Sequence, residues 1–446
     1  MKQQSLPFNK QLAYSFGMMG SSILINMIGV ILIYLYLPPA DSGLPNLITQ
    51  VAVLGIFNVV SIIIASGRLI DAFYDPFIAH YSDGNTNPKG RRIPLMKKAI
   101  IPSVVFCFLV FYPLNQQEST QNIVWLVVIL IGFYISTTTY IIPYSALLPE
   151  LAPTSEDKVR LAMWQSIGYV FGIAIASNTF NLSDLLQHSF SIASRITALQ
   201  FAVLIMCSLS AILMAITVFA IDEKKYCVSK PSHVPLLQAL KQTLSNKRFL
   251  LFIVADFSYF IAVTIITSGL LYYLKVLLGL KETLGNILMI TMVLVSLAFY
   301  PIVLFVSKKI GKKVIVIFSL FLLSGVFLGI YFLGKVDIDP KVQIFSLIGL
   351  AAIPLASLNI LPVAILAEII EKDSIETGEN KEGIYFAVRY FFVKIAQTFG
   401  MALFAMFLIY GKDEGNDLGL RLTGILGFVL CFVAAIIFAR FKELKK

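Results

Sequence analysis

Runs of about twenty mostly apolar residues, the length a helix needs to cross a hydrocarbon core about 30 Å thick, recur along nearly all of this 446-residue chain. They fall near 12–37, 47–80, 95–113, 121–149, 160–182, 196–221, 248–276, 281–307, 313–334, 341–370, 383–410 and 417–440, twelve in all. Hydrophobic residues make up 58% of the chain and charged residues 13%, with a mean hydropathy of +0.84. Too few polar residues remain to cover a water-soluble globule of this size. In a bilayer every backbone polar group must be satisfied internally, which favours helices. The expected fold is an all-α membrane protein with twelve transmembrane helices. The first run is too long for a signal-peptide core and no small-residue cleavage site follows it, so it is expected to stay as the first helix.

A net charge of +10 would suit a nucleic-acid partner if it were clustered on one soluble face, but here it alternates along the chain. Lys and Arg number 25 in the N-terminus and every second connection, from Lys2 and Lys10 to the tail at 440–446. The opposite connections hold 7: Arg195, Lys275, Lys281, Lys335, Lys341, Lys412 and Arg421. By the positive-inside rule both termini are cytoplasmic. The basic balance reports topology, and no nucleic-acid partner is expected. Cys107, Cys207, Cys227 and Cys431 lie far apart, as do His80, His188 and His233, with no metal-ligand or disulfide spacing. No nucleophile elbow, phosphate loop or dinucleotide fingerprint occurs. Enzyme chemistry has no foothold.

The longest hydrophilic interruption, 222–247, separates six runs from six and divides the chain into an N-terminal half (1–221), a cytoplasmic middle loop and a C-terminal half (248–446). Each half has a short basic connection between its second and third runs, "SDGNTNPKGRRIP" (82–94) and "SKKIGKK" (307–313). This repetition suggests two pseudo-symmetric six-helix halves that rock to alternate access to a site near the midplane. The alternative is that these basic loops merely obey the positive-inside rule. Gly168-x-x-x-Gly172 and Gly325-x-x-x-Gly329 are spaced for close helix packing.

Charges inside the runs are costly and usually mark a transport path. They are Arg68, Asp71 and Asp75 in the second run, Asp256 in the seventh, and Arg389 and Lys394 in the eleventh. Asp71 and Asp75, one helical turn apart, share a face and repel each other unless a cation or proton lies between them. A hard cation takes oxygen ligands, and the "STTTY" stretch (136–140) of the fourth run is a source of hydroxyls. Alternatively, the two aspartates cap the helix end or pair with Arg68. Arg389 has two open roles as well, gripping an anionic solute or pairing with Asp256.

The stretch "GRLIDAFYDPFIAHYSDGNTNPKGRRIP" (67–94) resembles the signature of the glycoside-pentoside-hexuronide:cation symporters, the melibiose permease group of the major facilitator superfamily. "YIIPYSALLPEL" (140–151) and "LAEIIEKDSIETGENKEGIYFAVRYFFVK" (366–394) match the same family in order and spacing. The resemblance implies the major facilitator fold, with Asp71, Asp75 and Thr138 at the cation and Na⁺ or H⁺ as coupling ion. It places Arg68 and Lys394 at matching positions of the family's site, and Ser22, Tyr140, Gln165, Arg389 and Tyr390 are expected to bind substrate with them. Departures fall on the sugar side. Where melibiose permease has a Lys-Asp pair and a further aspartate, this chain has Ser21, Ser22 and Ile141, and Ser145 replaces the stacking indole.

The function implied is secondary active symport of a glycoside, sugar or uronide by a monomer in a bacterial cytoplasmic membrane. A lysolipid symporter is the alternative, since Ile141 and the aromatic run Tyr390, Phe391, Phe392 leave room for it. A non-transporting sensor would need a soluble output domain, and the longest loop has about 26 residues.

Overall fold

A computed structural model describes residues 5–36, 38, 45–49, 52–53, 57–192, 194–227, 234–280, 284–408, 410–411 and 415–441. Lys2, Lys281, Lys412, the terminal lysines and residues 228–233 of the middle loop, His233 included, lie outside the described residues. The helices are α1 (Phe8–Tyr36), α2 (Val59–Asp83), α3 (Ile93–Val110), α4 (Thr120–Leu151), α5 (Ser155–Ser177), α6 (Thr179–Ser189), α7 (Arg195–Ala220) and α8 (Glu223–Tyr226). There follow α9 (Leu236–Ser245), α10 (Lys247–Tyr272), α11 (Leu284–Ile310), α12 (Lys312–Phe332), α13 (Pro340–Thr377), α14 (Glu382–Leu408) and α15 (Leu418–Ala439).

Among the described residues, eleven helical stretches are long and apolar enough to cross a membrane. The twelfth is α2, in its expected place, where Arg68, Asp71 and Asp75 lower the hydropathy. The all-α, twelve-helix reading stands, with four adjustments. α2 begins at Val59, because Ala52–Val53 (β1) and Phe57–Asn58 (β2) pair antiparallel instead of joining the helix; valine-rich segments suit an extended backbone. The fifth run starts earlier, at Ser155, where Thr154 accepts a hydrogen bond from the Asp157 amide and Glu156 and Asp157 favour the helix N-terminus. It then breaks at Asn178 into α6. α13 runs on to Thr377, well past the apolar run, and carries Pro354 and Pro362.

The chain forms two compact units. The first comprises Met1–Asp157, Trp164–Leu236 and Gly378–Ala387, the second Lys158–Met163, Leu237–Thr377 and Val388–Lys446. Two short segments are therefore exchanged relative to a simple cut in the middle loop. In the first unit α1 packs on α7, α2 and α3 on α4, and α3 on α7. In the second α10 packs on α15, α11 and α12 on α13, and α12 on α15. The neighbour pattern of the first six membrane helices is repeated by the last six.

Small residues and buried hydroxyls set the close approaches. A side chain at Gly168 would meet the Ser15 carbonyl at 2.2 Å and one at Gly172 the Met19 carbonyl at 2.6 Å, so α5 lies directly on α1. Of the other expected pair, Gly329 abuts Leu347 while Gly325 has open space. Tyr14 and Tyr144 stack with ring centroids 4.4 Å apart, and each hydroxyl donates to the other's backbone carbonyl, at 3.1 and 2.8 Å.

Candidate functional site

α2 turns Leu69, Phe73 and Phe77, four residues apart, outward, which puts Asp71 and Asp75 on the opposite, buried side. Gly67 lets α4 come close enough to meet them, since a Cβ there would lie 2.7 Å from the Tyr134 ring. Thr138 Oγ1 on α4 donates to Asp71 Oδ1 and lies 3.3 Å from Asp75 Oδ1. Two carboxylates and one hydroxyl, all from the first unit, thus converge. Of the other "STTTY" hydroxyls, Ser136 and Thr139 bond back to carbonyls of their own helix. Thr137 Oγ1 is buried without a hydrogen-bond partner among the described residues. Pro76, beside Asp75, cannot donate to the Ala72 carbonyl one turn back, and Pro143 likewise leaves the Thr139 carbonyl without its usual donor. These oxygens are the chemistry a hard monovalent cation takes. No group of three or more His, Cys, Asp or Glu side chains placed to hold a metal ion occurs among the described residues.

Arg68 is exposed. Gln165 is buried, and its Oε1 has no hydrogen-bond partner among the described residues. Ser22 and Tyr140 are fully buried and already engaged. The Ser22 hydroxyl donates to the Tyr169 carbonyl at 2.8 Å and that of Tyr140 to the Met214 carbonyl at 3.3 Å. Spacing cannot tell a hydroxyl facing a cavity from one clasping a neighbouring helix.

In the second unit Arg389 grips Asp256, with Nε donating to Oδ2 at 2.8 Å and Nη2 to Oδ1 at 3.3 Å. The guanidinium also lies 5.8 Å from the Phe252 ring and 5.9 Å from that of Phe260. Of the two open roles, this geometry is the ion pair. Tyr390 and Lys394 are half-buried on α14.

A second set of charges, read from sequence only as topology, is a buried network. Arg92 Nε donates to Glu150 Oε1, and its Nη2 lies 3.0 Å from Glu382 Oε2 and 3.1 Å from Asp83 Oδ1. Arg91 Nη2 reaches Glu150 at 2.9 Å and Glu382 at 3.3 Å. Glu223 accepts the backbone amides of Arg91, Arg92 and Ile93 at 2.6, 3.0 and 2.9 Å, which caps α3. Gly90, at φ +120°, leaves room for that carboxylate, as a Cβ would lie 2.2 Å from its oxygen. Asp83 accepts the amides of Gly383 and Ile384 at 3.0 and 3.1 Å, at the start of α14. Burial opposes the charge on Arg92, but Glu150, Asp83 and Glu382 more than offset it and raise its pKa. Glu150 and Glu382 lie inside the motif stretches 140–151 and 366–394, the one signal that could have singled them out; Glu223 had none.

A sequence model of the MFS/sugar transport protein family matches residues 13–442. Relatives include an uncharacterized symporter of Synechocystis, 23% identical over 95% of this chain and 88% of its own. An isoprimeverose transporter of Lactiplantibacillus pentosus is 21% identical over 92% of this chain and 82% of its own. A sodium-dependent lysophosphatidylcholine symporter of Xenopus tropicalis is 22% identical over 77% of this chain and 70% of its own. The fold is similar to that of a solved proton:xylose symporter of the major facilitator superfamily, with a TM-score of 0.69 and 13% identity over 97% of this chain and 95% of that one.

Proposed function

Because the chain belongs to the MFS/sugar transport protein family, we propose that it is a secondary active transporter coupling inward Na⁺ movement to uptake of a small glycoside or hexuronide by alternating access. The observation that carries this reading is the convergence of Asp71, Asp75 and the Thr138 hydroxyl. Na⁺ held there takes its oxygens from both carboxylates and Thr138, with the Ala72 and Thr139 carbonyls within the same turns. H⁺ is the alternative coupling ion at the same carboxylates. Coupling follows from electrostatics: two bare carboxylates are costly in an occluded, water-poor state, so the ion must bind before the protein reorients. The coupling residues hold the ion in place and no bond is made or broken.

The solute meets the buried Gln165 Oε1 and Thr137 Oγ1, which lack hydrogen-bond partners among the described residues, and a sugar's hydroxyls supply the missing hydrogen bonds. An unsatisfied buried polar atom costs about 1–3 kcal/mol, so such pairing is favourable. Relatives that carry isoprimeverose, glucuronide and raffinose in their names support a glycosidic solute. Lys394 is assigned to the carboxylate of a hexuronide. A lysolipid is the second reading, supported by two relatives named as sodium-dependent lysophosphatidylcholine symporters; those names also support Na⁺. The protein is taken to be a monomer in a bacterial cytoplasmic membrane with both termini cytoplasmic. Cysteines at Asn87 and Gln117 test this orientation, as an impermeant reagent should reach the first only from the cytoplasm and the second only from outside.

The deciding experiment is a thermal-shift screen of purified protein against sugars, uronides and lysolipids, each with Na⁺ and with choline. One solute class should stabilise the protein, and more so with Na⁺, since linkage requires each ligand to raise the other's affinity equally. Stabilisation by lysolipids alone would replace the glycoside reading, and a solute effect indifferent to Na⁺ at every pH would sink cation coupling.

A further inference from the structure

Between α8 and α10 in the chain lies α9, Leu236–Ser245, whose side chains sort into three faces. Ala239 and Thr243, one turn apart, are buried against the protein. Leu237 and Leu244, seven residues apart and so on one face, are 81% and 41% exposed. Lys241, four residues after Leu237, shares that face and is exposed; Gln238 and Ser245 occupy the third. Two large apolar side chains and a cation between them are thus left uncovered.

The position of α9 says what covers them. One residue after its end, α10 starts a membrane-length helix at Lys247, fixed by Asn246, whose side chain accepts the amides of Arg248 and Phe249 at 3.0 and 3.3 Å. A ten-residue helix so tethered is held at the membrane surface. Lys247, exposed, adds a second cation at the junction. An interfacial helix has this arrangement, with an apolar stripe about 5–10 Å into the headgroup boundary, lysine on its edge and polar residues toward water. A lysine beside such a stripe buries its stem and lifts its ammonium to the phosphates.

We propose that α9 lies flat in the bilayer interface as a surface anchor, with Leu237 and Leu244 among the acyl chains and Lys241 against anionic phospholipid headgroups. This holds whichever leaflet carries the basic connections, and it is independent of the solute and the coupling ion.

The test uses full-length protein in proteoliposomes of phosphatidylglycerol with brominated acyl chains, which quench tryptophan on contact. Single tryptophans are placed by Leu237→Trp, Leu244→Trp, Gln238→Trp and Ser245→Trp, with Trp125 and Trp164 changed to Phe. If that background does not fold, the wild-type emission is subtracted instead. Leu237→Trp and Leu244→Trp should lose most of their emission, while Gln238→Trp and Ser245→Trp keep theirs. Exchanging brominated phosphatidylglycerol for brominated phosphatidylcholine, or adding Lys241→Gln, should weaken quenching at the leucine positions. No quenching at the leucine positions, as when a protein partner or a second copy covers them, overturns the proposal, and so does equal quenching at all four. Indifference to both lipid charge and Lys241→Gln overturns the anionic headgroup assignment.

Discussion

Both units carry basic residues at the ends of their membrane helices, yet the ion pairs these residues make lie in unlike surroundings. In the first unit Arg92 is 0% and its partner Glu150 2% exposed. In the second unit the ion pair Arg248–Glu376 is 33% and 48% exposed. Lys312–Glu368, at the second unit's own basic turn, stands between them at 7% and 12%. The first network is tolerable inside the protein because both guanidiniums are ion-paired and each of the four carboxylates has a cation or backbone amides to bond. Two guanidiniums face Glu150 and Glu382, while Asp83 and Glu223 each sit on the amides of a helix N-terminus, where the dipole favours an anion. The same residue types, chosen by the same topological rule, therefore carry very different energies, and burial is what separates them.

That difference is open to measurement by reversible unfolding in mixed micelles. The largest effect is expected for Arg92→Gln, which leaves the carboxylates of Glu150 and Glu382 buried with one cation removed and should cost about 3–5 kcal/mol. A cost under about 1 kcal/mol would mean that water reaches the network and that the contrast is false. Glu223→Gln should come next, at up to about 2 kcal/mol, because a carboxylate at the N-terminus of α3 is lost while an amide oxygen still accepts. Smallest of all, Glu376→Gln should cost about 0–1 kcal/mol and the difference should shrink in added salt. If Glu376→Gln proved as damaging as Arg92→Gln, exposure would not be the deciding variable.

The same contrast shows what could be read from the chain and what could not. The membrane helices were legible because twenty apolar residues in a row have few other uses, and the aspartates of α2 because a spacing of four fixes them on one face. The start of α2 was not, since an apolar stretch reads alike as helix or as the short β1–β2 pair. Thr138 was legible from its family motif. For Ser22 and Tyr140 the partners, the carbonyls of Tyr169 and Met214, were not legible, because a hydroxyl's partner is set by the neighbouring helix. The buried network was hidden for a related reason, since Arg92 and Glu382 lie 290 residues apart and only the fold joins them.

Asp71 and Asp75 are the proposed seat of the coupling ion. The most direct measurement is the Na⁺-dependent thermal shift of purified protein, with choline as the ionic-strength control, in wild type, Asp71→Asn and Asp75→Asn. Wild type should be stabilised by Na⁺ in proportion to site occupancy, and each variant should fold but lose that response, because it keeps the shape of the side chain and removes a charge the ion needs. Na⁺ stabilisation persisting undiminished in both variants would mean that the ion does not bind at Asp71 and Asp75.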